Sequence, residues 1–384
     1  MKIGFVMDVY HGYTSGVTTY VSSLRRYFEK NNHEVFIFCF GSRETGSSGA
    51  HIIQSPGIRI KGSYYIGARF SRQAREFLQK MDVLHLQHPF VSGPLAINNT
   101  QTQNMPFVFT NHTRYDLYMQ YYAPFFPNNI GMWLLKTSLK SFFRQVDAIV
   151  APSKGIIKVL LEFGVKSNLY HIFNGIDLEN FYQIFHKRKV SGQHSSNRKG
   201  CTLIYVGRLG KEKNLLLLLK VFKRIHQIEP ATRLILVGDG PDRSNLERFI
   251  ISNDIQSAVK ITGFVPYSRI PEYLYHADFF MTASVTEVHP LTIIEAMSTG
   301  LPVVAIRSTG IEDTVLHEET GLLSEEQEED NLVNLALELI QNKEKRLWMG
   351  EKGAERAKLF SLETCGDSLL NLYNKVLTQK RRVL

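Results

Sequence analysis

Short runs of apolar residues alternate along almost the whole chain with longer stretches whose apolar positions recur every three or four residues. The first kind reads as buried strand, the second as amphipathic helix. In the first half the strand candidates are 2–7, 34–40, 83–87, 107–110, 148–151 and 169–173, with helical stretches such as 17–31 and 153–163 between them. A polar, basic segment, FHKRKVSGQHSSNRKG (185–200), then interrupts the pattern and reads as a linker or mobile loop. The alternation resumes with strands at 201–206, 233–237, 259–262, 278–281 and 302–305, and helices at 214–228, 243–252 and 291–299. The acidic run SEEQEED (324–330) reads as a helix start, with carboxylates at the positive end of the dipole. Strand and helix alternating on this scale predict parallel sheets with helices on both faces, so the fold class is α/β. Two such series predict two doubly wound, Rossmann-like domains, residues 1–180 and 181–361. A length of 384 residues suits two cores. Ligands of such folds sit at the carboxyl ends of strands, and with two domains the expected site is the cleft between them.

Composition narrows the class. Hydrophobic residues at 43% and charged residues at 21% are ordinary for a soluble globular protein. Cys39, Cys201 and Cys365 lie far apart without metal-ligand spacing and read as reduced thiols of a cytosolic protein. The start, MKIGFVMD, runs straight into a strand, and no apolar run approaches the roughly 18 residues a membrane span needs. The net charge is +9, unevenly spread: residues 1–180 carry 18 Lys/Arg against 11 Asp/Glu, residues 181–361 carry 23 of each, and the last 23 residues carry 4 against 2. The first half is therefore either a basic surface for an anionic partner or a solvated surface biased by chance. A nucleic-acid binder has no support beyond this charge, since no basic groove-reading helix or known module is present. An NAD-dependent oxidoreductase is opposed by VGDGP (237–241), which lacks the third glycine of the dinucleotide fingerprint.

The candidate chemistry concentrates in TEVHPLTIIEAMSTGLPVVA (286–305), where Glu287 and Glu295 stand eight positions apart. A helix starting at Pro290 leaves the amides of Leu291 and Thr292 pointing out of its N-terminus, an anion site between two acids. GRLGKEKN (207–214) follows a strand and holds Arg208 and Lys213 at its carboxyl end, as a grip on a diphosphate or as two solvated loop cations. Gly238 in VGDGP permits close backbone approach to a flat ligand such as a base. GFVP (263–266), with Phe264, offers backbone groups to a base edge or is a plain turn. In the first half, Gly16 lies at the start of a helix, and His112 follows strand 107–110. Two stretches are either core helices with a wet face or membrane-surface elements. GMWLLKTSLKSFFRQV (131–146) carries Trp133 and the cations Lys136, Lys140 and Arg144; residues 59–80 carry six cations and one acid.

These motifs, in this order, resemble the retaining GT-B glycosyltransferases of family 4, the "group 1" family. SGVTTYV near the start, DVLHLQHP (82–89), the NHT around His112, APS (151–153), NGID (174–177), GRLGKEKN, VGDGP and the E-x7-E segment carry the resemblance nearly end to end. It implies two Rossmann-like domains facing across a cleft. The first would be completed by residues 362–384, whose helix, expected over 362–379, crosses back onto it. It also implies that Arg208 and Lys213 neutralise a donor diphosphate and that Glu295 holds the ribose. Glu287 would meet the transferred sugar, His112 would hydrogen-bond it, and the Gly16 loop would approach phosphate and acceptor. Retention follows a same-face displacement in which the leaving diphosphate takes the acceptor proton, with no metal and no other cofactor. The chain departs from the family's E-x-F-G with Glu287-Val288-His289-Pro290, so the phosphate must rely on Leu291 and Thr292. It reads SGV where GGV is commoner, and STG (308–310) where the family has paired glycines.

The segment NHTRYDLYMQYYAP (111–124), with Tyr115 and Tyr118, is similar to the H-T-x-Y-x-x-Y-x-x-Y of the family's diacylglycerol glucosyltransferases and lipid-linked mannosyltransferases. That branch implies a nucleotide-sugar donor, a lipid acceptor, and a basic first domain on the anionic inner leaflet. The same donor chemistry on a soluble or polysaccharide acceptor is the alternative. Neither the donor's base and sugar nor the oligomeric state can be read from these residues.

Overall fold

The computed structural model describes residues 1–10, 15–42, 51–61, 64–100, 104–117, 128–166, 168–191, 200–325 and 327–382. The chain divides into two units, Met1–Ile176 with Leu362–Leu384 (unit 1) and Asp177–Ser361 (unit 2).

Unit 1 contains β1 (Lys2–Val6), β2 (Glu34–Gly41), β3 (Ile52–Pro56), β4 (Ile58–Lys61), β5 (Tyr64–Ile66), β6 (Val83–Leu86), β7 (Phe107–Thr110), β8 (Ala148–Ala151) and β9 (Leu169–His171). Seven of these form one sheet in the order β3-β2-β1-β6-β7-β8-β9, all pairs parallel, with Ile3 in register with Val35 on one side and Val83 on the other. β6, β7 and β8 are buried along their full length, as strands covered on both faces must be. One face is closed by the Gly16–Lys30 helix and by the last helix, Leu362–Arg382. Tyr20, Leu24 and Phe28 from the first helix pack with Leu369, Tyr373 and Val376 from the last in one cluster over Ile3, Phe5 and Val108. The helix expected over 362–379 is present and belongs to unit 1, running three residues further, to Arg382.

Unit 2 contains β10 (Thr202–Val206), β11 (Arg233–Val237), β12 (Val259–Ile261), β13 (Phe279–Thr282), β14 (Val303–Ile306) and β15 (Gly321–Ser324), in the order β12-β11-β10-β13-β14-β15, again all parallel. In each sheet the strand order reverses once, beside β1 and β6 in unit 1 and beside β10 and β13 in unit 2. The crevice at such a switch point is where doubly wound sheets bind ligands.

Some expectations give way. Residues 185–191 are not linker but the end of the helix Glu179–Ser191. Phe181 and Arg188 are buried there, and the Arg188 guanidinium donates to the carbonyls of Leu274 and Tyr275 at 2.8 and 3.3 Å. Residues 192–199 lie outside the described residues. The basic stretch 59–80 is not one helix: it holds most of the antiparallel β4–β5 hairpin and a short helix, Arg72–Leu78. The acidic run does lead into a helix, Glu329–Gln341, with Glu329 and Asp330 in its first turn, although its first residue, Ser324, belongs to β15. No helix among the described residues is long and apolar enough to cross a membrane.

Candidate functional site

In unit 2 the site is built by loops that leave the carboxyl ends of β10, β11 and β13. The β10 and β11 loops lie backbone on backbone. Gly207 N donates to Val237 O at 2.9 Å, Leu209 N to Asp239 O at 3.0 Å, and Asp242 N to Leu209 O at 2.9 Å. Gly238 sits at φ +142°, and a Cβ there would lie 2.0 Å from Gly207 O. The close approach that Gly238 permits is thus first of all to the neighbouring loop.

The chain then turns through the 3₁₀ segment Lys211–Lys213 into the Leu215–Ile228 helix, with Asn214 left-handed at φ 52°. This turn sets two ion pairs. Arg208 Nη2 meets Glu212 Oε1 at 2.5 Å, and Lys213 Nζ meets Glu287 Oε1 at 2.7 Å. Glu212 is fully buried, so Arg208 is anchored by a carboxylate shielded from water while 42% of its own side chain stays exposed. The carbonyl of Glu212 also accepts from Thr286 Oγ1 at 3.2 Å, which ties the β10 loop to the β13 loop. Tyr205 donates to Arg208 O at 3.2 Å; burial holds its phenol well above the ordinary range, and Lys213 partly offsets this.

Glu287 lies on the β13 loop, and Gly310 seats it. A Cβ at Gly310 would come within 2.4 Å of Val288 C and O and 2.5 Å of Glu287 O. His289 packs its ring edge-on against Phe360 at 5.2 Å. Pro290 is the N-cap rather than the first helical residue, with φ −80° and ψ 95°. The first ladder bonds run from Ile293 and Ile294 to Pro290 O, which leaves the Leu291 and Thr292 amides ahead of the ladder. One turn on, Glu295 is buried, and burial pushes its carboxyl up to about 8, against a Tyr267 hydrogen bond that acts in the other direction. Gly263 bridges to Gly238, and Phe264 beside it is 67% exposed.

In unit 1 the polar groups gather where β1, β6 and β7 end. Gly16 is the first residue of its helix and is exposed. Ser15 caps that helix reciprocally with Thr18: Thr18 N donates to Ser15 Oγ at 3.2 Å and Ser15 N to Thr18 Oγ1 at 2.8 Å. Residues 11–14 lie outside the described residues. His112 Nε2 is 2.7 Å from Gln87 Oε1, and its ring stands edge-on to Tyr20 at 5.2 Å. Burial first, then the neighbouring His88 and His85, hold its pKa well below the usual imidazole value. Asp8 is buried and accepts from Ser92 N at 3.1 Å and from the Tyr64 hydroxyl at 3.0 Å, while its own N–H donates to His88 Nδ1 at 3.1 Å. Tyr115 packs edge-on to Phe90 at 5.1 Å, its phenol raised by burial and by Asp8. Tyr118 lies outside the described residues.

The Asn128–Phe143 helix buries Leu135, Leu139, Phe142 and Phe143, so its apolar side faces the core. Its other side carries Lys136 and Lys140, with Arg144 just beyond its end, all exposed; Trp133 and Leu134 are exposed there too, at 64% and 49%. On the β4–β5 hairpin Ile58 and Ile60 stand out at 76% and 61%.

The structure thus gathers Arg208, Lys213, Glu287, Leu291, Thr292 and Glu295 around linked loops of unit 2, and sets His112 among polar groups of unit 1. The sequence reading passed over Glu212, Tyr205 and Tyr267 in unit 2, and Asp8, Gln87 and His88 in unit 1. Asp8, Gln87 and His88 directly follow strands, the same signal that singled out His112.

Residues 186–356 match the family model of glycosyl transferases group 1, and residues 14–180 that of glycosyltransferase family 4. Among curated proteins the chain is similar to an alpha-monoglucosyldiacylglycerol synthase of Streptococcus pneumoniae, 29% identical over 79% of this chain and 71% of that protein. It is similar to one of Acholeplasma laidlawii, 26% identical over 100% of this chain and 99% of that one. Among solved structures it resembles sucrose-phosphate synthase from Thermosynechococcus elongatus, with a TM-score of 0.81 and 21% identity over 98% of this chain and 99% of that one. HepE of Anabaena in complex with UDP and glucose follows, with a TM-score of 0.74 and 18% identity over 98% and 100%. Two parallel-sheet units of this topology, each matched by its own family model, make the chain a GT-B hexosyltransferase: it belongs to the group 1, family 4 glycosyltransferases.

Proposed function

We propose that the protein transfers a hexose, with retention, from a nucleotide-diphosphate donor of the UDP-glucose or GDP-mannose type to the hydroxyl of a lipid such as diacylglycerol. Unit 2 holds the donor and unit 1 the acceptor. The observation that carries the donor reading is the pairing of Lys213 with Glu287 beside Arg208 and Glu212. Two cations fixed at a strand's carboxyl end, each by its own carboxylate, can receive a diphosphate without reorganising. Arg208 offers a fork and Lys213 a point charge with donors to spare. The Leu291 and Thr292 amides supply the helix-end dipole, and Glu295 takes the ribose hydroxyls. These charges meet the diphosphate without a metal.

In the reaction the bond from C1 to the diphosphate oxygen breaks, and a bond from C1 to the acceptor oxygen forms on the same face. The acceptor proton goes to the departing phosphate oxygen. Glu287 faces the positive charge that develops on the sugar, and Arg208 and Lys213 face the negative charge that develops on the leaving group.

The lipid reading is supported by the relatives named as alpha-monoglucosyldiacylglycerol synthases and by the excess of cations in residues 1–180. Exposed Trp133 and Leu134 beside Lys136, Lys140 and Arg144 fit docking on the anionic inner face of the cell membrane. Each cation near such a surface contributes roughly 1 kcal/mol. A screen of UDP-glucose, UDP-galactose, UDP-GlcNAc and GDP-mannose, with diacylglycerol in anionic or neutral vesicles, tests both parts. Turnover of one donor with diacylglycerol, and sedimentation with anionic vesicles that fades with salt, are expected. Absence of vesicle binding at low salt removes the lipid-surface reading and leaves a soluble or polysaccharide acceptor.

A further inference from the structure

The β4–β5 hairpin is a part of unit 1 that the proposed reaction leaves unused. It continues the edge strand β3 but forms a two-stranded sheet of its own, outside the seven-stranded one. Its root is fixed at three points. Gly57 N donates to Gly41 O at 3.0 Å, and a Cβ at Gly57 would lie 3.1 Å from Phe40 Cβ. A Cβ at Gly67 would lie 2.1 Å from the ring of the same Phe40, which is buried and stacks on Phe70 at 5.1 Å. The Tyr64 hydroxyl ties the start of β5 to Asp8 at 3.0 Å. The outer side chains of this fixed hairpin are bare. Together with Trp133, Ile58 and Ile60 are the three most exposed large apolar residues described in unit 1. Isoleucine ordinarily belongs in cores, and bare apolar residues on a two-stranded edge invite association. The surroundings are cationic. Arg59, between the two isoleucines, is exposed, as is Arg69 just after the hairpin. Ser71 N donates to Ser55 Oγ at 3.0 Å, which starts the Arg72–Leu78 helix beside the end of β3, and Arg72 and Arg75 on it are exposed. Glu76 is the one acid in residues 56–80, and Arg72 takes it at 2.9 Å.

Apolar tips among cations suit one partner best. A second copy of this chain would bring the same arginines and be repelled, and a nucleic acid gives isoleucine nothing to enter. An anionic bilayer supplies headgroup phosphates for the cations and an acyl boundary for the isoleucines. We propose that the β4–β5 hairpin is a membrane wedge: Ile58 and Ile60 enter the acyl boundary of an anionic bilayer while Arg59, Arg69 and Arg72 stay at its headgroups. This rests on the lipid-surface reading and adds to it a second contact, apart in sequence from the Asn128–Phe143 helix. Because the hairpin is held before contact and isoleucine is stiff at χ1, seating the two side chains costs little conformational freedom. The cations supply an attraction that fades with salt, and the isoleucines a grip that does not.

The test uses the full chain with vesicles of phosphatidylglycerol and phosphatidylcholine, or of phosphatidylcholine alone. Ile58→Ser combined with Ile60→Ser should weaken sedimentation with the anionic vesicles roughly tenfold or more and leave its salt dependence unchanged. Arg69→Glu combined with Arg72→Glu should weaken binding and flatten that dependence. For a direct reading, Ile60→Cys carries an environment-sensitive fluorophore; Cys39, Cys201 and Cys365 are buried and escape labelling. Its emission should shift to the blue with anionic vesicles only, and this reading stands even if the serine variant does not fold. A label that stays in water while the protein is vesicle-bound overturns the wedge. So does a folded serine variant that binds like the wild type, and docking is then left to the helix with Trp133. A wild type that binds no vesicle removes the lipid-surface reading itself, and the wedge with it. A wild-type dimer in vesicle-free solution that the serine variant breaks shows the isoleucines meeting a second copy, which also overturns the wedge.

Discussion

Lys213 and Glu287 hold each other at 2.7 Å, each with about a fifth of its side chain exposed. An ammonium so placed is oriented before any phosphate arrives, which is the condition under which a charge lowers a barrier most. Lys213→Ala should therefore cost on the order of a hundredfold or more in kcat/KM for nucleotide-sugar turnover, measured as release of the nucleoside diphosphate. Glu295 behaves differently. Its carboxyl is raised to about 8 by burial, so between the ordinary carboxylate range and about pH 8 the folded chain keeps a proton that the unfolded chain has lost. Stability therefore falls as pH rises through that window. Glu295→Gln should leave the unfolding free energy nearly unchanged at pH 5 and raise it at pH 8.5, by a difference on the order of a few kcal/mol, measured in denaturant melts at the two pH values. In the proposed donor complex the ribose hydroxyls donate to the ionised form of Glu295. Donor binding at pH 7 should thus release a proton, seen as a binding enthalpy that varies with the ionisation enthalpy of the buffer. The same titration with Glu295→Gln should lose that dependence.

At the scale of elements, the regular parts of both sheets were legible because strands buried on both faces are short and apolar throughout. β7, β8 and β11 fall where their residues predict. The edge strands β3 and β15 and the β4–β5 hairpin were not, since IIQSP and GLLS are short and carry no alternation, and Ile58 and Ile60 face outward. Pro290 shows the limit at a helix start: proline fixes φ but not ψ, and ψ 95° puts it before the helix instead of inside it. Glu212 was passed over because sequence cannot say that a carboxylate between two lysines is wholly buried. The loop pair 207–210 and 238–241 has no slack. Gly238→Ala would drive its methyl onto Gly207 O and force a strained φ, so a loss of about 1–3 kcal/mol is expected in a denaturant melt, with donor affinity falling alongside.

At the scale of the whole molecule, the two switch points, one per unit, follow from the strand orders. The alternation of strands and helices in the sequence predicted such sheets but not their order. Unit 1 takes its core from both ends of the chain, with Leu369 fully buried in the cluster that contains Phe5 and Leu24. Leu369→Ala should destabilise unit 1 by about 2–5 kcal/mol, and the measurement that checks it is a melt in which the unit 2 transition stays in place.

That discontinuity also orders the protein's birth. Residues 177–361 form a contiguous unit, whole as soon as Ser361 has been made. The first 176 residues emerge earlier, yet Tyr20 and Phe28 have no Tyr373 or Val376 to cover them until those residues have followed Ser361. The unit begun first is thus finished after the other, and until residues 362–382 are made its open apolar face is the nascent chain's point of exposure to chaperones.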